Sequence, residues 1–173
     1  MDVLKLQIPF EFIRSRALLS WSDVAFGLDQ QLLDEAAPSE LATERLAEDL
    51  GSGSDMIDLL EASPQVNALP IVKKLASREL GVSPDAIREK WLFLVLSWIL
   101  ENQDRFSDPL EMVEVVYADF GYPVSIAPFV RYMPSSESRL GSPVFERARL
   151  FGIWRSYIEE GARRFNPARA SPG

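Results

Sequence analysis

Residues 83–102 read SPDAIREKWLFLVLSWILEN, and this stretch decides the fold class. Ser83 followed by Pro84 is a typical helix start, with a serine N-cap and a proline in the first turn. One face then carries apolar residues at helical spacing: Ile87, Trp91, Leu94, Val95, Trp98 and Ile99. The other faces carry Leu92, Phe93 and Leu96. A helix that is apolar nearly all round belongs at the centre of a core.

Helix signals also occur on both sides of this stretch. They predict helices over residues 38–50 and 109–120 and from residue 143 onward, the last with Phe145, Ala148, Phe151 and Trp154 facing inward. Shorter helices are expected after Ser20 or Ser22, after Ser54, after Pro64 and around residues 125–132. Residues 3–12 alternate between apolar and other side chains, and Pro9 restricts them to an extended arm. We predict an all-α fold, an irregular bundle of about six to seven helices with a short extended N-terminal arm.

Composition supports an ordinary globular protein. The 173 residues are 47% hydrophobic and 25% charged, and they include no cysteine and no histidine. This length predicts a single helical domain over residues 1–166, followed by a flexible tail over 167–173. We expect a cytoplasmic protein without a membrane segment, because no apolar run approaches a membrane span and the N-terminus lacks signal-peptide features.

The residue types present exclude most catalytic chemistry. Without histidine or cysteine, the chain has no Ser-His-Asp triad, no cysteine nucleophile and no His- or Cys-ligated metal site. Phosphate-binding motifs are also absent from the sequence. We therefore predict no catalytic residue, no metal site and no cofactor. One enzymatic alternative stays open, namely a small-ligand site in a helical cleft that uses the carboxylates of Glu111, Glu114 or Asp119.

Charge is distributed unevenly along the chain. The net charge is −8, which argues against a nucleic-acid partner. Residues 29–61 contain ten acids and one base, Arg45, whereas residues 139–169 contain seven arginines and three glutamates. Steps of four along a predicted helix place three glutamates on one face, where like charges repel. Such a face can attract a basic protein partner, and the candidate partner-binding residues are Glu40, Glu44, Glu48, Asp49, Asp55 and Asp58.

Several short motifs together resemble an uncharacterised bacterial family, domain of unknown function 2247. They are IPF at 8–10, LSWSDV at 19–24, KW at 90–91, DPLE at 108–111, VVYADFGYP at 115–123, FVRYMP at 129–134 and WRSY at 154–157. These aromatic and turn residues identify a fold more than a reaction. Small acidic bacterial proteins of this kind are often encoded beside toxins as immunity proteins, and the resemblance implies that association here.

Three interpretations follow from the sequence. The first is a non-catalytic binding protein, such as an immunity protein that neutralises a toxin through the acidic face. The second is the enzyme or small-ligand binder with surface carboxylates in a helical cleft. The third is a homo-oligomeric structural subunit in which the acidic half of one copy meets the arginine-rich C-terminal helix of another. The sequence does not give the oligomeric state.

Overall fold

The computed structural model describes residues 6–47, 68–131 and 143–166. Within them lie seven α-helices: α1 (Phe10–Arg16), α2 (Trp21–Asp29), α3 (Ala37–Ala47), α4 (Leu69–Ala76), α5 (Pro84–Glu101), α6 (Pro109–Asp119) and α7 (Pro143–Phe165). Two 3₁₀ turns cover Gln103–Arg105 and Ala127–Phe129. The predicted all-α irregular bundle is confirmed. The helix expected after Ser54 lies outside the described residues.

The extended arm is shorter than predicted. Residues from Phe10 onward are helical, because Pro9 acts as the N-cap and its carbonyl accepts hydrogen bonds from the backbone N–H groups of Phe12 and Ile13. The buried residues Phe10, Ile13 and Ala17 follow helical spacing. Immediately before Pro9, Ile8 forms an isolated parallel bridge with Leu33.

The chain divides into two compact units. Among the described residues, the N-terminal unit covers 6–47 and 68–91, and the C-terminal unit covers 92–131 and 143–166. The division falls within helix α5. The single domain over residues 1–166 stays a prediction, and the expected tail over 167–173 lies outside the described residues.

In the N-terminal unit, α2 packs against α4. A capping box begins α2: the Ser20 side chain accepts from the Asp23 backbone, and the Asp23 carboxylate accepts from the Ser20 backbone. The Glu79 carboxylate accepts hydrogen bonds from the backbone N–H groups of Trp21 and Ser22 at 3.0 and 2.8 Å. These bonds satisfy amides that a helix start would otherwise leave without acceptors.

Asp23 also joins α2 to α5. Its carboxylate accepts from Lys90 Nζ at 2.6 Å, and its backbone carbonyl accepts from Trp91 Nε1 at 2.9 Å. Asp23 is 1% exposed, so the lysine neutralises a charge that would otherwise be costly to bury. Gly27, one turn further along α2, leaves room for the Trp91 ring.

In α5, every residue from Trp91 to Ser97 is buried, as the apolar stretch predicts. Phe93 belongs to the C-terminal unit, where its ring lies 5.3 Å from that of Phe165 and against Gly161 on α7. The Trp154 ring of α7 stacks on Phe129 from the 3₁₀ turn, with ring centroids 6.2 Å apart.

The start of α7 differs from the prediction. Phe145 is 71% exposed and Ala148 is also exposed, so their assignment to the inner face is wrong. Phe145 precedes the buried Trp154 by about two and a half turns, which places it on the opposite side of the helix. The buried stripe of α7 begins at Leu150.

Candidate functional site

Two of the six predicted partner-binding residues lie in the described part of the chain. Glu40 and Glu44 are one turn apart on α3, and Glu40 is exposed. Leu41 and Ala42 on the same helix are buried, so α3 has one face in the core and one face outside. Glu48, Asp49, Asp55 and Asp58 lie outside the described residues.

Glu44 is paired with a residue that the charge pattern did not identify. Arg14 of α1 donates a hydrogen bond from Nη1 to Glu44 Oε1 at 2.6 Å. This hydrogen bond and the charge of Glu44 raise the pKa of the Arg14 guanidinium, with smaller contributions from Glu11 and Glu40. Arg45, the base within the acidic segment, instead donates to the Leu19 backbone carbonyl at 2.8 Å. Arg14 therefore relieves the repulsion between the glutamates of α3.

The acids before α3 are arranged differently. Asp29, Asp34 and Glu35 are all exposed. Asp34 accepts a hydrogen bond from the Ala36 backbone N–H at 2.9 Å, which fixes the turn into α3. The carboxylates of Asp29 and Glu35 have no hydrogen bond or ion pair with any residue that the structure describes. Their negative charge is therefore exposed, without an ion-pairing base in the part of the chain that the structure describes.

Asp29 and Glu35 line a groove of about 460 Å³ in the N-terminal unit. The other lining residues are Gln7, Leu28, Gln31, Leu33 and Leu69. Gln31 follows the C-cap of α2 in a left-handed conformation, with φ of 57°. We call this depression the Asp29 groove. It carries two carboxylates and no basic residue among its described lining.

A second groove of about 800 Å³ lies in the same unit. Its apolar lining includes Phe10, Leu18 and Leu41, and Leu18 is 51% exposed. Unlike the Asp29 groove, it contains a compensated charge, the ion pair between Arg14 and Glu44. We call it the Arg14 groove.

The carboxylates of the enzymatic alternative lie in the C-terminal unit. Glu111 and Asp119 are exposed. Glu114 accepts a hydrogen bond from Arg131 Nε at 2.6 Å, and Arg131 Nη1 donates to Asp108 at 2.7 Å. Arg131 therefore connects the start of α6 to its middle. This gives Glu114 a structural role.

The same arrangement determines the protonation of Asp108. Burial alone would raise the pKa of this carboxyl. Hydrogen bonds from Arg131 and from the backbone N–H groups of Glu111 and Leu110 outweigh burial, so the pKa lies below its ordinary value. The hydrogen bond to Glu114 is the largest influence that raises the pKa of Arg131. Both groups stay charged at neutral pH.

Arginines of α7 form the basic region that the sequence shows. Arg147 and Arg155 lie over the Phe151 ring, with guanidinium carbons 5.0 and 5.9 Å from its centre. Arg149 donates two hydrogen bonds to Glu146, the shorter at 2.7 Å. These positive charges are partly engaged within their own helix.

The described ranges contain no group of three or more Asp and Glu side chains placed to hold a metal ion. Likewise, none of their helices combines the length and the apolar character needed to cross a membrane.

Comparison with known proteins gives one match. The model of a family described as "Uncharacterized protein conserved in bacteria (DUF2247)" matches residues 10–162. Neither the search of curated proteins nor the search of solved structures found a match.

Proposed function

The chain belongs to this bacterial family, and we propose that it is a non-catalytic protein-binding module, an immunity protein that neutralises a toxin through its acidic face. The toxin is a basic protein, most concretely a nuclease. The proposed contact surface includes Glu40 and Glu44 and extends to Glu48, Asp49, Asp55 and Asp58.

One observation supports this proposal above the others. Asp29, Glu35 and Glu40 are exposed and form no ion pair with any described residue. Folding therefore leaves this negative charge at the surface instead of using it for internal contacts. Glu44, by contrast, forms an ion pair with Arg14.

A nuclease needs positive charge to hold the phosphates of its substrate. Carboxylates at similar positions can occupy that basic site and exclude the nucleic acid. Opposite charges also steer the two proteins together, so association should be fast and should slow as salt concentration rises.

The proposal expects a toxin gene beside the gene for this chain, and the absence of such a gene would contradict it. The test pairs the protein with the product of that neighbouring gene. Co-expression of the full chain should restore growth of cells that produce this toxin. Glu40→Lys should weaken binding to the purified toxin by about tenfold at low salt, because it reverses an exposed charge on the proposed surface.

Asp119→Lys is the matched control, since Asp119 is equally an exposed helical acid but lies in the C-terminal unit. It should leave the affinity within about twofold of the wild type. Failure of the chain to protect cells would refute the immunity role. Equal effects of both variants would refute the acidic face as the contact surface.

A further inference from the structure

We infer that the Asp29 groove binds a single lysine or arginine side chain of the basic protein partner, an inference that rests on the proposed function. The occupant is one projecting cationic side chain, with its charged head at the carboxylates and its methylene stem along the leucines. Binding of this side chain in the groove would fix how the two proteins align in the complex.

The head of such a side chain would meet three sources of negative potential. Asp29 and Glu35 are exposed carboxylates with no compensating base among the described residues. Asp29 is also the last residue of α2, and the last turn of this helix contains no basic residue. The C-terminal end of a helix carries partial negative charge, which favours a cation at this position.

The stem would lie along Leu28 and Leu69, the two half-buried leucines of a lining that is otherwise mostly polar. Leu33, which also lines the groove, is 2% exposed. Lysine and arginine bury their methylene groups on apolar side chains while the charged head stays near water. The groove, with a volume of about 460 Å³, is open to solvent, so the charged head of the side chain can stay hydrated.

The backbone at the groove is held in an unusual conformation. Gln31 has a φ of 57°, which favours glycine, and this position follows the C-cap of α2. The Gly27 carbonyl accepts from the backbone N–H groups of Leu32 and Leu33 at 2.8 and 3.2 Å. These bonds fix the turn, so the groove is formed before a partner binds.

The Arg14 groove fits this occupant less well. It is larger, but Arg14 already neutralises Glu44 within it. A second cation there would be repelled by Arg14 or would have to displace it. Charge complementarity therefore favours the Asp29 groove.

The experiment titrates the full chain with capped tripeptides at low salt. The probes are Gly-Lys-Gly and Gly-Arg-Gly, with the neutral Gly-Gln-Gly as control, and the readout is the NMR spectrum of the leucine methyl groups. Saturable shifts at Leu28, Leu33 and Leu69 with the cationic peptides, absent with the neutral peptide, support the inference. Shifts that do not saturate, or that spread evenly over the surface, overturn it.

Variants test the carboxylates directly. The double variant Asp29→Asn, Glu35→Gln should weaken peptide binding by about tenfold, because it removes charge-assisted hydrogen bonds. The control Glu11→Gln, Asp85→Asn removes the same number of charges from exposed positions of the same unit and should change affinity by less than about twofold. Circular dichroism checks that all variants are folded. Equal losses in both double variants overturn the inference.

Failure of this inference can be distinguished from failure of the proposed function. Toxin neutralisation without localised peptide binding overturns the groove as a site and leaves the immunity role standing. Localised peptide binding without neutralisation supports the groove chemistry and refutes the immunity role. Light scattering adds a third check. If the wild type were a dimer and the Asp29→Asn, Glu35→Gln variant a monomer, the occupant of the groove would be a second copy of the chain. That result would overturn the assignment to a partner protein.

Discussion

Replacement of Gly27 by alanine tests the packing that positions α2. An added Cβ atom would lie 2.4 Å from Trp91 Cζ2, 2.7 Å from Trp91 Cη2 and 3.2 Å from Leu33 Cβ. Carbon atoms pack best at about 3.5–4.0 Å, so the indole would have to retreat by about 1 Å. It has little room to do so, because Trp91 is fully buried and its Nε1 is bonded to the Asp23 carbonyl.

The energetic cost follows from two opposing effects. Overpacking of a core costs about 1–3 kcal/mol. Alanine gains about 1 kcal/mol over glycine in a helix interior. Gly152 in α7 separates these effects, because no atom lies within 4 Å of its added Cβ and only the helical gain applies. The variants Gly27→Ala and Gly152→Ala should therefore differ by about 1–3 kcal/mol in the free energy of unfolding, with Gly27→Ala the less stable.

Urea unfolding followed by circular dichroism and tryptophan fluorescence measures both variants under identical conditions. We expect Gly152→Ala to unfold at a higher urea concentration than the wild type and Gly27→Ala at a lower one. If Gly27→Ala were as stable as Gly152→Ala, the close approach of α2 and Trp91 would be refuted.

Three further predictions concern single residues. Trp91→Phe should cost about 1–2 kcal/mol more than Trp154→Phe in urea unfolding, because it removes the buried hydrogen bond from Trp91 Nε1 to the Asp23 carbonyl, whereas the Trp154 N–H has no acceptor among the described residues. Equal losses would contradict this. Arg131→Met should destabilise the protein at neutral pH. The bond between Arg131 and Asp108 requires the charged carboxylate and lowers its pKa, so thermal melts should show the difference between variant and wild type shrinking as pH falls below 3.8. A difference in stability that does not depend on pH would exclude this pair as the source. Gln31→Gly should raise the stability by about 1 kcal/mol in urea unfolding, since a left-handed φ strains any residue with a Cβ, and no gain would show that the turn is unstrained.

The sequence predicted the helices well because local patterns determine them. The apolar residues of α5 and the start signals at Ser83 and Asp108 depend only on spacing and on neighbouring residues. The N-terminal arm shows the limit of such patterns. Leu4, Leu6 and Ile8 continue in period two to Phe10, but the helical spacing of Phe10 and Ile13 decides the structure from Pro9 onward.

The candidate site was only partly predictable, because its contacts join distant parts of the sequence. Charge counting identified Glu40 and Glu44 but not Arg14, which lies 30 positions before Glu44 and pairs with it. The Asp29 groove could not be predicted for the same reason, since the arm, the end of α2 and the start of α4 each contribute lining residues. Spacing within one helix contains no information about such contacts.

The ion pair between Arg14 and Glu44 also changes which substitutions can test the proposed function. Reversing the charge of Glu44 would remove a negative charge and also deprive Arg14 of its hydrogen-bond partner. A loss of affinity could then reflect a displaced arginine in the Arg14 groove instead of a lost contact. Glu40, Asp29 and Glu35 avoid this ambiguity, because none of their carboxylates forms an ion pair with a described residue. Substitutions at these three positions change the surface charge and leave the internal contacts of the unit in place.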